Sequence, residues 1–395
     1  MKSKKLLISV GLAVVLVMAF ALPACTEPVE ELTYAEYVDS LGTGEYPVPE
    51  ACFDQAMEEG ELRMYDWAAW WPQDLYDDFE EFFGIEIVRD NYADLDEART
   101  KFLVDPMTAY DYFLTDARGL TELGNATILL EFDHDWIPNV DAYLGEEFQG
   151  DMWGDPDYSY SVVTSIGLMG YVINTNHIAA NSTGLGSWAF IYNVTEECGA
   201  YDGKLIFRGE MDRVIGTALK YLGYSHNSVN QTELDEAGDA LMAIKDCIMA
   251  FSGWPITEVQ SEECWIFHCM PGDGRYLGLG MDPQGEMAPL KGFLPEEGTM
   301  ISTMLITIPQ GGGHPAAAHL WTNYMYRPDN FATLIEAIAY HYGHTAIDDL
   351  LSTEIAEFLA VPEGYWDLCE VVTPATYTEP GLGMRLAIWE ALTGE

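Results

Sequence analysis

Between residues 61 and 115 the hydrophobic pattern alternates between strand and helix periodicity, and this alternation constrains the fold more than any other feature. Leu62 and Met64 alternate with polar side chains up to Trp67, as in a half-buried strand. Pro72 then opens a run with helical spacing that Gly84 ends. The predicted strands are residues 61–67, 85–92 and 110–115, and the predicted helices are residues 72–84 and 95–103.

Strands and helices in this order predict a mostly parallel sheet with helices packed on it, an α/β fold. In such sheets, ligands bind beyond the carboxyl ends of the strands. The side chains expected at those ends are Trp67, Trp70, Tyr92, Asp116 and Arg118. Trp71 precedes the helix directly, and we expect it to pack in the core.

A second α/β unit is predicted farther along the chain. Its segments are a strand at 204–207, helices at 214–222 and 234–249, and, returning to the first unit, a strand at 304–309 and a helix at 315–326. The glycine-interrupted apolar stretch 166–174 is predicted to cross between the two units. The sequence thus indicates two lobes with a cleft between them.

The N-terminus has the pattern of an export signal. Three lysines precede an uncharged apolar run from Leu6 to Leu22, which ends at Pro23, Ala24 and Cys25. Residues 1–24 are predicted to be a lipoprotein signal peptide, and Cys25 the acylated first residue of the mature chain. A permanent signal-anchor helix is the alternative interpretation. Residues 25–58 are acidic and are predicted to be a tether.

The chain has 395 residues and a formal net charge of -48, which removal of the signal lysines makes more negative. Such a surface repels nucleic acid and anionic lipid and attracts cations over a short, screened range. Hydrophobic residues make up 49% of the chain, enough for two cores of ordinary size. Because the net charge is strongly negative, we exclude nucleic-acid binding as a function.

Besides Cys25 the chain has six cysteines, an even number that permits disulfides in an exported protein. Cys264 and Cys269 are separated by a short segment and are predicted to form a local disulfide. A zinc site with His268 is the alternative, but a second pair of ligands is missing. The sequence predicts no bound metal and no cofactor.

Six segments together resemble the spermidine/putrescine-binding proteins of ABC transporters, which have the type II periplasmic binding protein fold. They are LRMYDW (62–67), FEEFFG followed by IEI (79–87), AYD (109–111), SWA (187–189), ALKYLGYS (218–225) and YRPD (326–329). The resemblance implies a two-lobed receptor that closes on a small solute and presents it to a membrane permease. It implies no chemistry on the solute, and no catalytic residue is predicted.

The resemblance also implies roles for residues of the cleft. Trp67 and Trp70 fall at aromatic positions that stack on the solute, and Asp116 and Glu210 are expected to receive its ammonium groups. Arg118 stands where an aromatic residue is usual, and Arg213 aligns with an acidic position. The Trp and Asp that polyamine binders place near Ser302 and Met304 are missing here.

These departures leave the charge of the solute open. Either the acidic neighbours Asp212 or Glu210 neutralise Arg213 and a polyamine binds, or Arg118 and Arg213 bind the anionic group of a zwitterion or carboxylate. Ferric iron at residues 340–344, a secreted hydrolase and a passive surface protein are the remaining alternatives. The chain lacks Gly-x-Ser-x-Gly and His-Glu-x-x-His motifs and a phosphate loop.

The predicted organisation follows from these segments. Lobe 1 comprises residues 59–165 and 303–350, and lobe 2 comprises residues 166–302 and 351–395. We expect an extracytoplasmic monomer whose partners are a small-molecule solute, an ABC transporter permease and, through the lipid anchor, the membrane.

Overall fold

The computed structural model describes residues 32–68, 70–149, 151–193, 201–280 and 287–394. The predicted signal peptide and Cys25 lie outside these residues. The strands of the described part are β1 (Glu61–Trp67), β2 (Glu86–Tyr92), β3 (Tyr112–Thr115), β4 (Leu129–Leu130), β5 (Val162–Leu168), β6 (Gly170–Asn174), β7 (Leu205–Phe207), β8 (Ile248–Phe251), β9 (Ile266–Cys269), β10 (Leu290–Phe293), β11 (Met300–Pro309) and β12 (Glu370–Val371).

The helices of the same residues surround these strands. They are α1 (Tyr34–Ser40), α2 (Glu50–Glu59), α3 (Gln73–Phe83), α4 (Leu95–Val104), α5 (Ala117–Asn125), α6 (Pro138–Tyr143), α7 (Ala189–Tyr192), α8 (Met211–Tyr221), α9 (Gln231–Ala243), α10 (Ile256–Gln260), α11 (Pro271–Gly278), α12 (Pro315–Met325), α13 (Pro328–Ile338), α14 (Thr353–Phe358), α15 (Pro374–Tyr377) and α16 (Gly381–Thr393). Within the described ranges, none of these helices is long and apolar enough to cross a membrane.

The α/β fold and its two lobes are confirmed, each lobe being built on its own sheet. The first sheet has the strand order β12-β11-β3-β1-β2, with β4 and β5 also paired to β11. In it β1 runs parallel to β2 and β3, and β11 runs antiparallel to β3. The second sheet has the order β10-β6-β9-β7-β8. Each sheet is covered by its own cluster of buried apolar side chains.

In the first predicted unit, the strand alternation and the proline and glycine boundaries lie where the structure begins and ends β1 and α3. The predicted strand at 61–67 coincides with β1, and α3 starts after Pro72 and ends at Gly84, whose φ of 68° is the left-handed conformation that glycine adopts most readily. The helix predicted over 234–249 is wrong at its end. There α9 stops at Ala243, and Ile248–Phe251 pair with β7 as strand β8 because a long-range pairing is available.

The chain crosses between the lobes where it was predicted to. Met169 separates β5 in the first sheet from β6 in the second, and the chain returns through residues 294–299 into β11. Gly170 opens β6 because a Cβ atom there would lie 2.2 Å from the carbonyl oxygen of Phe293 in β10. The two crossings lie next to each other, because β5 pairs with β11 in the first sheet and β6 pairs with β10 in the second.

Two parts of the predicted organisation need correction. Residues 34–59 are not a tether but form α1 and α2, which bury Tyr37, Cys52 and Phe53 in the core of lobe 1. Residues 351–371 also pack on lobe 1, through Ile355 and Tyr365, rather than on lobe 2. In both cases apolar side chains decide the placement, and the acidic composition of the segments concealed them.

The predicted disulfide between Cys264 and Cys269 is also wrong. Both thiols are free and buried, because residues 266–269 form strand β9 and an extended chain of this length separates the two Cα atoms by about 16 Å. His268 instead lies beside the hydroxyl of Thr217, at 3.1 Å. Cys247 is disulfide-bonded. Cys198 lies outside the described residues.

Candidate functional site

Two aromatic rings meet at the carboxyl edge of the first sheet. Trp67 ends β1 and Tyr92 ends β2, and the parallel register places them opposite each other. Their ring centroids are 4.8 Å apart at an interplanar angle of 59°. Tyr92 is buried and its hydroxyl donates to the carbonyl of Leu114, whereas Trp67 is half-buried. Tyr92 therefore holds Trp67 in place at this edge.

Asp116 follows β3 and begins α5. Its carboxylate accepts the backbone N–H of Gly119 at 2.8 Å and pairs with Arg99 Nη1 at 3.2 Å. Arg99 is buried and also pairs with Asp96 and, at 3.4 Å, with Glu122. Asp116 is thus an anchored carboxylate that already has one cationic partner.

Arg118 lies on the first turn of α5, at the boundary with lobe 2. Its Nε is 2.8 Å from Glu122, and its Nη1 is 3.3 Å from Asp96. The guanidinium carbon lies 4.9 Å from the ring centroid of Tyr377 in α15, and Val372 and Met384 on either side of α15 pack against the lobe 2 core. Arg118 therefore joins the two lobes through an aromatic contact.

Trp70 and Tyr340 form a second contact between the lobes. Trp70 lies in the loop after β1, and its ring centroid is 5.8 Å from that of Tyr340. Tyr340 follows α13 of lobe 1 but packs against the core of lobe 2. The indole Nε1 of Trp70 is buried and has no hydrogen-bond partner. The Trp70 ring is thus held at the cleft with one donor unused.

The lobe 2 side of the cleft contains a compact ion network. Arg208 follows β7, and Glu210 caps the start of α8. Glu210 lies between two guanidinium groups, with Arg208 Nε at 3.1 Å and Arg213 Nε at 2.5 Å. Arg208 also forms a close ion pair with Asp273, whose carboxylate accepts the hydroxyl of Tyr340. The network therefore extends from α8 to the Tyr340 contact.

The charges of this network are set by mutual pairing. Burial by itself would raise the pKa of Glu210, but Arg208 and Arg213 outweigh it and lower that pKa to about 2. Burial lowers the pKa of Arg213, and Arg208 adds to this effect, while Glu210 opposes it. The Glu210 side chain is still 41% exposed, so it lines an open space instead of packing into the core.

The two sides of the cleft lie in each other's electrostatic field. Burial raises the pKa of Asp212 on α8, and Arg385, Arg118 and Arg213 oppose this effect. Asp116 of lobe 1 raises the pKa of both Asp212 and Arg213. Residues predicted separately from the two halves of the sequence therefore come together at one interlobe surface.

Several residues of this surface were not predicted from the sequence. Arg208 comes directly after the predicted strand 204–207, so the rule applied to lobe 1 would have found it. Asp273 and Tyr377 carry no such signal, because only the packing of α11 and α15 brings them to the cleft. Trp71 is buried in the core as predicted, edge-on to Trp321.

The tract 340–344, considered as an iron site, is divided among different partners. Tyr340 donates to Asp273, and His344 Nε2 lies 3.1 Å from the carbonyl oxygen of Tyr326. Within the described ranges, no three His, Cys, Asp or Glu side chains are grouped as metal ligands would be. The cleft instead offers aromatic faces, guanidinium groups and carboxylates, which recognise a charged small molecule.

Known proteins are similar to this chain over most of its length. The putrescine/cadaverine-binding protein of Pseudomonas aeruginosa is 24% identical over 315 residues, which are 78% of this chain and 86% of that protein. No protein-family model matches the chain.

Solved structures show the same architecture. The spermidine/putrescine ABC transporter substrate-binding protein PotD of Streptococcus pneumoniae matches with a TM-score of 0.72 at 19% identity, covering 85% of this chain and 98% of that one. The TpPotD lipoprotein of Treponema pallidum matches with a TM-score of 0.68 at 19% identity, covering 85% and 100%. The chain therefore has the type II periplasmic binding protein fold and is a relative of the spermidine/putrescine-binding proteins of ABC transporters.

Proposed function

We propose that this protein is the extracytoplasmic solute-binding component of an ABC importer for polyamines or a related amine. The observation that carries the proposal is the surface shared by the two lobes, where aromatic rings from strand ends meet carboxylates from both sides. Its relatives bind putrescine, cadaverine and spermidine by name, which supports an amine. The solute binds reversibly and leaves unchanged.

Each predicted residue has a role in this proposal. Trp67 and Trp70 contact the solute, Tyr92 positions Trp67, and the carboxylates Asp116 and Glu210 lie on opposite sides and contribute negative charge that favours an amine. A cation over a tryptophan face gains about 0.5–2 kcal/mol, and charge-assisted hydrogen bonds to carboxylates add to this. Arg118 and Arg213 adjust the charge preference of the cleft.

Closure of the lobes is the proposed signal to the permease. The Trp70–Tyr340 and Arg118–Tyr377 contacts join the lobes around the cleft. A solute that contacts both lobes binds the closed form better than the open form and shifts the population toward it. The permease can then distinguish loaded from empty protein by its shape.

The location proposed is the outer face of the cell membrane or the periplasm, with a lipid anchor at Cys25. The lysine-rich start, the apolar run and the Leu22-Pro23-Ala24-Cys25 sequence support the anchor, and the similar TpPotD protein of Treponema pallidum is a lipoprotein. A monomer suits a clamp that docks on a permease. The net charge of -48 draws cationic solutes toward the protein at low salt.

A thermal-shift screen against putrescine, cadaverine, spermidine, zwitterionic amino acids and small carboxylates tests this function. At a concentration about 100 times its Kd, a true solute stabilises the protein by about 2.7 kcal/mol, which corresponds to a rise in Tm of about 3–4 °C for a folded chain of this length. Absence of any shift with every amine would contradict the proposal. Chemical conversion of the ligand would indicate an enzyme instead.

A further inference from the structure

The carboxylate expected to receive an ammonium group on lobe 2 is already neutralised. Glu210 pairs with both Arg208 and Arg213, and Arg208 pairs in addition with Asp273. A free diamine would have to place an ammonium group beside two guanidinium groups. One such neighbour at ~6 Å lowers affinity by about a hundredfold at an effective dielectric of ~20.

Several polar atoms around this network are buried and have no hydrogen-bond partner, among them Nδ1 of His268 and Nε and Nη1 of Arg385. Three others are Nη1 of Arg213, Nε1 of Trp70 and Oδ1 of Asp212, which are two donors and one acceptor. Buried polar groups in native proteins are normally paired, so each of these atoms requires a partner that the protein itself does not supply.

The three atoms belong to one region of the cleft. Trp70 packs against Tyr340, whose hydroxyl donates to Asp273. Ion pairs then connect Asp273 through Arg208 and Glu210 to Arg213. Asp212 and Arg213 are consecutive on the first turn of α8, and the negative charge of Asp116 across the cleft raises the pKa of both. All three atoms therefore belong to side chains of this network or of its direct neighbours.

The partner that satisfies these atoms has an acceptor group and a donor group. A carboxylate accepts from Arg213 and Trp70, and an ammonium group donates to Asp212. A diamine has donors at both ends and would leave the two donors of the protein unpaired. A buried polar group left unpaired costs its full desolvation free energy, which is larger than the net gain from a typical hydrogen bond.

We propose that the solute is a zwitterion, an aliphatic amine with a carboxylate at the other end, rather than a diamine. This inference rests on the proposed function, since it concerns the solute of the same cleft. Arg213 and Trp70 bind the carboxylate, Asp212 binds the ammonium group, and Trp67 contacts the aliphatic chain. Because a zwitterion adds no net charge, the ion network around Glu210 stays balanced when the cleft is filled.

Calorimetric titration of the purified exported protein with two matched ligand pairs tests the inference. The pairs are putrescine with γ-aminobutyrate and cadaverine with δ-aminovalerate, whose members differ mainly at one end. We expect the amino acid of at least one pair to bind tenfold or more tightly than its diamine. Tighter binding of both diamines would overturn the inference and leave the proposed function intact. Binding of neither kind of ligand would overturn both.

Three variants locate the effect. Arg213→Gln is expected to weaken the amino acid at least tenfold and to leave the diamine unchanged or tighter. Asp212→Asn is expected to weaken both ligands, because both present an ammonium group. The control Arg275→Gln removes a lobe 2 arginine that pairs with Glu354 at 3.3 Å, outside the network, and is expected to change neither. Equal weakening of both ligands by Arg213→Gln would contradict the assignment of Arg213.

Discussion

Trp67 and Trp71 lie four positions apart, and the structure predicts opposite consequences for their removal. Trp67 is half-buried at the end of β1 and contacts Tyr92 from one side. Trp71 is 2% exposed and packs edge-on against Trp321, with the ring centroids 5.8 Å apart. Alanine at the first position should abolish binding, and alanine at the second should destabilise the fold.

The magnitudes separate the two effects clearly. Trp67→Ala loses a stacking face for the solute and its cation–π contact, a loss of about 2–4 kcal/mol, or roughly 30- to 1000-fold in affinity. Its cost to stability is the ring contact with Tyr92, about 0.5–1.5 kcal/mol. Trp71→Ala leaves a cavity in the core and costs about 3–5 kcal/mol, which lowers Tm by about 4–7 °C.

Titration calorimetry with the best ligand measures the affinities, and scanning calorimetry of the empty proteins measures the stabilities. We expect Trp67→Ala to melt within a few degrees of the parent protein while binding is lost. If Trp67→Ala kept its affinity and melted as early as Trp71→Ala, the Trp67 ring would be a core residue and the cleft would be misassigned.

Three further predictions concern stability, closure and thiols. Burial raises the pKa of Asp66 to about 7. The folded protein therefore binds a proton at Asp66 more tightly than the unfolded chain does, so the free energy of unfolding should fall by about 4 kcal/mol between pH 4 and pH 8. Asp66→Asn should flatten the plot of Tm against pH over this range. Tyr377→Leu removes the contact with Arg118, so it should increase the radius of gyration of the empty protein in X-ray scattering and weaken binding about 2- to 5-fold. An unchanged radius of gyration would contradict a role of this contact in holding the lobes together. Cys52, Cys264 and Cys269 should resist thiol reagents until denaturation, because burial raises the pKa of each thiol; rapid labelling of the native protein would refute their burial.

Local signals made the first lobe predictable. The alternation in β1 and the boundaries Pro72 and Gly84 of α3 act within a few residues, so the sequence contains all the necessary information. Strand β8 was missed because its pairing with β7 is a long-range contact. The helices α1 and α2 were missed because an acidic surface obscures the few apolar residues, such as Tyr37, that bury them.

The site could be predicted only in part, because some of its residues are positioned by local sequence and others by long-range contacts. Trp67, Tyr92 and Asp116 end or follow strands of one parallel sheet, so their shared edge follows from topology. The partners of Arg213 could not be chosen from the sequence, since Asp212 and Glu210 are both close in the chain. In the structure Glu210 pairs with it, which leaves Asp212 as the unpartnered carboxylate. Because Asp212 and not Glu210 is then available to an ammonium group, the proposed solute changes from a diamine to a zwitterion.

In the proposed function, the two lobes bind one amine solute reversibly between them. The most direct measurement is calorimetric titration of the purified protein with the amines from the screen, followed by recovery and mass analysis of the ligand. We expect saturable binding of one molecule per chain, with the ligand recovered unchanged and binding lost in Trp67→Ala. Absence of saturable binding, or a ligand recovered in altered form, would contradict it.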